Sequence, residues 1–217
     1  MTGFSLVIGN RNYSSWSLRP WLAMKWANIA FDEIIIPLDE PTTREEILKH
    51  TPSGRVPVLK HGAMTIWDSL AICEYLAEQV PTAHLWPSDA TVRAIARSVS
   101  AEMHSGFTAL RDHMPMNIRS RFPDQGRALG VTEDVNRITA IWRRCRQRFG
   151  ADGDFLFGQF SIADAMFAPV VTRFQTYAVE TDTAAQDYMA AVLDLPAMQE
   201  WVAAAGREPW IIDSAEF

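Results

Sequence analysis

The hydrophobic pattern of this chain changes period once, at Trp86-Pro87-Ser88-Asp89, and that change divides the fold into two kinds of structure. Before the break, short β-rich runs alternate with helical spacing. Ser5 to Ile8 reads as a strand, Trp16 to Ala27 as a helix and Phe31 to Ile36 as a strand, which together make a βαβ unit. An irregular segment follows. Val56 to Lys60 and Ala63 to Trp67 then read as two strands around the turn His61-Gly62, and Ser69 to Gln79 as a closing helix. Beyond the break strand signals nearly vanish. Ala90 to Met114, Thr132 to Phe149, Ser161 to Tyr177, Ala184 to Leu193 and Pro196 to Ala205 carry helical periodicity. The expected architecture is therefore an α/β domain over residues 1–80 followed by an all-helical domain over residues 88–217. A chain of 217 residues, 48% of them hydrophobic, is long enough to give both parts buried cores.

Composition narrows the function classes. A net charge of −6 provides no basic surface for phosphate backbones or anionic lipid, so neither nucleic acid nor a membrane is an expected partner. No run is long enough to cross a bilayer, and no cationic segment precedes the short apolar run Phe4 to Ile8, so the expected location is cytoplasmic. Cys73 and Cys145 are too few and too far apart for a disulfide framework or a metal site; packing is their expected role.

Chemistry concentrates in Asn12-Tyr13-Ser14-Ser15-Trp16-Ser17-Leu18-Arg19-Pro20-Trp21. Proline is cheap only in the first turn of a helix, so a helix is expected to start near Trp16 or Ser17, just after a cluster of hydroxyls. Ser14 then stands at a positive dipole end, where a carboxylate, a phosphate or a thiolate is stabilised. Two further motifs sit at strand and helix starts. In Val56-Pro57-Val58-Leu59 the proline marks an edge, a strand start or a special turn, and general frequencies favour a trans bond. Asp68-Ser69 precedes an apolar helical run and reads either as a plain helix cap or as a second anion site, with Ser69 and helix amides holding a carboxylate and Asp68 an ammonium. Ser161-Ile162-Ala163-Asp164 has capping-box spacing and points to folding, not catalysis.

Taken together these motifs resemble the glutathione transferase superfamily over nearly the whole chain. Ser14-Ser15-Trp16-Ser17-Leu18-Arg19 is similar to the Ser-Ser-Cys-Ser-x-Arg signature of its serine-type, zeta-like classes, with Trp16 in the place of Cys. The resemblance implies a thioredoxin-like domain (βαβ-ββα) followed by an all-helical domain, no permanent cofactor or metal, and glutathione as cosubstrate. It implies that Ser14 donates to the glutathione sulfur and holds it as thiolate, with Ser15 and Tyr13 as alternatives. Val56 would pair with the cysteinyl unit beside a cis Pro57, Ser69 would take the γ-glutamyl carboxylate, Asp68 its ammonium and Arg55 the glycyl carboxylate, helped by Lys49 or His50. The implied reaction is transfer of glutathione to a small hydrophobic electrophile. Alternatives are a zeta-type cis-trans isomerase of maleylacetoacetate-like substrates and a non-catalytic interaction module. A homodimer is the family's usual state.

The electrophile pocket is less patterned. His104, Phe107, Thr108 and Arg111 share one face at helical spacing, and with Trp16 they are the candidates to border an interdomain cleft.

Overall fold

The structure, a computed structural model, describes residues 3–217. Four strands, β1 (Phe4–Ile8), β2 (Phe31–Ile35), β3 (Val58–His61) and β4 (Met64–Trp67), form one mixed sheet in the order β2-β1-β3-β4. β1 runs parallel to β2 and antiparallel to β3, and β3 is antiparallel to β4. The parallel pair requires a crossover, supplied by α1 (Ser15–Trp26). β1 is central and covered on both faces. Its alternation sends Leu6 and Ile8 into the main core and Val7 to the opposite face, where Val7 meets Ile36, Ile47 and Val58.

Ile47 belongs to α2 (Thr43–Leu48), a helix of 6 residues inside the segment that the sequence leaves irregular. It is too short to show a helical period. α3 (Ser69–Gln79) closes this half. The remaining helices are α4 (Ala90–Ser105), α5 (Thr108–His113), α6 (Val131–Phe149), α7 (Ile162–Thr176), α8 (Thr183–Leu193) and α9 (Pro196–Ala205). The fold is thus a thioredoxin-like α/β part followed by an all-helical part.

One expected helix is corrected. The spacing from Ala90 to Met114 predicts a single helix, but the chain breaks at Gly106 and Phe107, so α4 and α5 are separate. Phe107 sits at φ +59°, a left-handed conformation that a bulky residue rarely adopts. A Cβ on Gly106 would lie 2.8 Å from the carbonyl oxygen of Glu102, which makes glycine the fitting residue for the stop. His104 and Arg111 consequently belong to different helices. A smaller correction concerns α1, which starts at Ser15, earlier than Trp16 or Ser17. Pro20 therefore lies beyond the first turn, and the carbonyl of Trp16 goes without its helical donor.

One continuous core joins the two halves, because α1 packs on α7 and α9 and α3 packs on α4. α7 is buried along nearly its whole length. Its start is held as the capping-box spacing anticipates: Asp164 accepts from the Ser161 amide at 2.8 Å and the Ser161 hydroxyl at 3.0 Å, and also from the Leu156 amide at 3.0 Å. Cys73 and Cys145 are free and buried. Burial pushes both thiols up, that of Cys145 to about 11, which fits packing and not nucleophilic chemistry.

Candidate functional site

A cleft of about 580 Å³ lies where the starts of α1 and α3 meet the turn before β3 and the end of α4. Trp16, Ser53, Arg55, Val56, Pro57, Trp67, Asp68, Ser69 and His104 line it. The structure thus gathers Trp16, Arg55, Val56, Pro57, Asp68, Ser69 and His104 from segments far apart in sequence. Ser53 and Trp67 join them without a sequence signal. The Val56-Pro57 peptide is cis.

At the α3 end the reading of Asp68-Ser69 as a helix cap holds. Asp68 Oδ1 caps the helix, accepting from the amides of Leu70 at 2.9 Å and Ala71 at 3.2 Å. Its other oxygen, Oδ2, lies 3.1 Å from His104 Nε2. Asp68 has φ +76°, a conformation uncommon outside glycine and enriched at ligand sites. Burial depresses the His104 imidazole, and Arg19 and Arg111 add to this against the pull of Asp68. Ser69 is buried, and its hydroxyl has no hydrogen-bond partner among the described residues. An enclosed hydroxyl without a partner is costly, and a ligand oxygen beside the first turn of α3 would supply one.

At the α1 end Ser14 is the N-cap residue, buried but not itself part of the cleft lining. Its side chain caps no amide. Instead its hydroxyl lies 2.7 Å from Ser17 Oγ, which accepts from the Gly9 amide at 3.1 Å. Hydroxyl protons rotate, so Ser17 can donate to Ser14 and leave the Ser14 proton for another acceptor. Ser15 is the first residue of α1 and is buried. Tyr13 is committed elsewhere: its hydroxyl donates to Glu216 Oε1 at 2.7 Å and accepts from Arg119 Nη2 at 3.0 Å.

The turn before Ser14 is fixed by residues that sequence spacing does not connect to it. Glu208 accepts from the amides of Arg11 at 2.9 Å and Asn12 at 3.1 Å. The Asn12 side chain donates to Asn117 Oδ1 at 3.0 Å and accepts from the Arg119 amide at 2.9 Å. Glu208 is buried, so its removal leaves two amides short of an acceptor. Glu208→Ala is expected to lower the unfolding free energy by about 2 to 4 kcal/mol, read by urea denaturation. A change under about 0.5 kcal/mol would place these amides in water instead.

Of the remaining candidates, Thr108 is exposed on α5 and Arg111 lies half-buried against Trp16, its guanidinium carbon 4.8 Å from the ring centroid. Neither lines the cleft. The ammonium of Lys49 is paired with Glu46 at 2.5 Å. Among the described residues no group of three His, Cys, Asp or Glu side chains is placed to hold a metal ion, and no helix is long and apolar enough to cross a membrane.

Comparison with known proteins agrees with this geometry. The family models for the glutathione S-transferase N-terminal and C-terminal domains match residues 13–79 and 94–204. A maleylacetoacetate isomerase of Rattus norvegicus is 30% identical over 178 residues, covering 78% of this chain and 77% of that protein. Glutathione S-transferase 1 of Dianthus caryophyllus is 34% identical over 103 residues, 48% of this chain and 46% of its own length. Among solved structures, a glutathione transferase homologue from Burkholderia with bound glutathione superimposes with a TM-score of 0.72 at 22% identity, covering 94% of this chain and 98% of that one. A theta class enzyme from Xanthomonas axonopodis pv. citri, also with glutathione bound, gives 0.66 at 25% identity, covering 93% and 98%.

Proposed function

The chain belongs to the glutathione S-transferase family, and from that premise we propose that its cleft binds glutathione and activates the thiol for attack on a small electrophile. The observation that carries this reading is the buried, partnerless hydroxyl of Ser69, set at the start of α3 beside Asp68 and opposite the cis Val56-Pro57 segment. A free α-amino acid end fits that corner, with its carboxylate on Ser69 and the α3 amides and its ammonium on Asp68 in place of His104. Val56 then pairs with the cysteinyl backbone and Arg55 with the glycyl carboxylate. This places the thiol toward the start of α1, where Ser14 donates to sulfur while Ser17 donates to Ser14. The protein acts by electrostatic stabilisation and positioning; the nucleophile belongs to the cosubstrate.

Calorimetric titration with glutathione tests the binding step. Wild type is expected to bind saturably, and Ser69→Ala to bind roughly tenfold more weakly, as loss of one hydrogen bond to a charged group implies. Absence of binding by wild type, or unchanged affinity in Ser69→Ala, overturns this assignment.

A second reading is favoured by the isomerase name of the rat relative: glutathione adds to a double bond, permits rotation and leaves, so that it is not consumed. Trp16, where the zeta-like signature has Cys, separates this chain from that pattern. Conjugation, which consumes glutathione, remains our primary reading, and a non-catalytic interaction module has no use for a thiolate site. We place the protein in the cytoplasm as a homodimer.

A further inference from the structure

His104 reaches the cleft from the end of α4 and meets Asp68 at the start of α3. The helical half of the molecule therefore touches the corner assigned above to the ammonium of glutathione. The two oxygens of Asp68 have different tasks. Oδ1 accepts from the amides of Leu70 and Ala71, and Oδ2 lies 3.1 Å from His104 Nε2. An incoming ammonium has to address the oxygen that His104 holds. Arg55 is the only other charged residue among those lining the cleft.

The surroundings of the imidazole suit its neutral form. Facing a carboxylate oxygen, Nε2 carries the proton, and Nδ1 is then the bare ring nitrogen. Nδ1 is buried and has no hydrogen-bond partner among the described residues, so a proton placed there finds no acceptor. Cations also face the ring from two other elements, Arg19 on α1 and Arg111 on α5. Arg19 is fully buried, its guanidinium nitrogens without a hydrogen-bond partner among the described residues, and Arg111 donates through Nη2 to the His104 carbonyl at 3.1 Å. Trp16 stands edge-on to the ring at 5.2 Å and adds no acceptor. Asp68 alone among these neighbours favours the imidazolium, and it is the group that the ligand would claim.

We propose that His104 gates the ammonium seat of the cleft: the neutral imidazole yields Asp68 to the α-ammonium of glutathione, and the imidazolium keeps it. This deepens the glutathione reading and rests on it. The sign follows from charge. A protonated His104 binds Asp68 as a charge-assisted pair and repels a second cation brought to the same carboxylate. In the complex the ring has lost its carboxylate to the ligand and faces Arg19 and Arg111, so the bound form holds the His104 proton less tightly than the free one. Binding therefore releases a proton, and affinity falls as pH drops through the range in which His104 titrates, below the ordinary histidine value of about 6.5.

The test is calorimetric titration with S-methylglutathione at steps from about pH 7 to pH 5, a range in which the ligand keeps its ammonium and carboxylates charged and has no thiol to titrate. Wild type is expected to lose about threefold to tenfold in affinity over that range. His104→Gln keeps an N–H donor for Asp68 and cannot ionise, and His104→Ala removes the contact altogether. Both are expected to bind with nearly constant affinity and to exceed wild type at pH 5. Any titration of Asp68 is common to all three proteins, so the difference between wild type and the variants isolates His104. A merely structural histidine would shift the three affinities without changing their slope against pH. Equal slopes in wild type and both variants, or an affinity that rises on acidification in wild type alone, overturns the gate and leaves the glutathione reading standing. A wild type that binds neither S-methylglutathione nor glutathione at pH 7 overturns the glutathione reading and the gate with it.

Discussion

Asp164→Ala is expected to lower the unfolding free energy by about 3 to 5 kcal/mol, the largest stability effect of any single substitution considered for this chain. The carboxylate is fully buried and accepts from two amides, Leu156 and Ser161, and from the Ser161 hydroxyl. Alanine leaves these donors facing an apolar interior at the start of α7, the helix against which α1 and α4 pack. Burial raises the Asp164 pKa to about 6 against the donors that lower it. A folded pKa above the unfolded value near 3.9 means that the native state holds the proton more tightly. The stability this proton contributes is full below about pH 4 and is lost as pH rises through about 6. The gap between wild type and Asp164→Ala should therefore widen on acidification from about pH 7 to pH 4, measured by urea denaturation at each pH. A gap that narrows over that range would show that Asp164 is preferentially ionised in the fold.

Ser14→Ala is expected to reduce kcat/KM for glutathione conjugation by about 10² to 10³, the usual cost of removing one preorganised donor from a developing or resident anion. The loss should appear mainly in kcat, with KM for glutathione changed little, because Ser69, Asp68 and Val56 hold the peptide while Ser14 addresses the sulfur. Ser17 retains its bond from Gly9 in the variant, so the turn itself should persist. The close approach of Gly9 to Leu38 helps set this turn, since a Cβ on Gly9 would come within 2.6 Å of Leu38 Cδ1. Ser15→Ala is the control: a comparable loss there would move the donor one residue along the chain.

Much of the fold is legible in the sequence because periodicity is a local property. The strand-helix-strand order from Ser5 to Ile36, the helical periodicity of the later segments and the Ser161 to Asp164 spacing each predict what is found. The division of Ala90 to Met114 is not legible, since helical spacing continues across Gly106 while Phe107 takes a backbone conformation that its residue type disfavours. At the site, Val56-Pro57 and Asp68-Ser69 are readable because each joins a strand to a turn or a helix start within a few residues. Glu208 is not, because its partner Arg11 is 197 residues away and nothing in either neighbourhood marks the contact. Tyr13 illustrates the same limit: adjacency to Ser14 makes it a candidate donor, and only the fold shows its hydroxyl spent on Glu216 and Arg119. Arg19 is visible as part of a signature, but its lack of an acceptor is a property of the packed interior alone.

Thiolate absorbance of glutathione bound to the wild-type protein, followed in the ultraviolet across pH beside Ser14→Ala, tests the central claim most directly. A free thiol titrates near pH 8.5, and the α1 terminus with one hydroxyl donor should bring the bound thiol clearly below that value in wild type and let it rise back toward it in the variant. Bound glutathione that titrates like the free thiol in wild type, or identically in both proteins, would contradict thiolate stabilisation by Ser14.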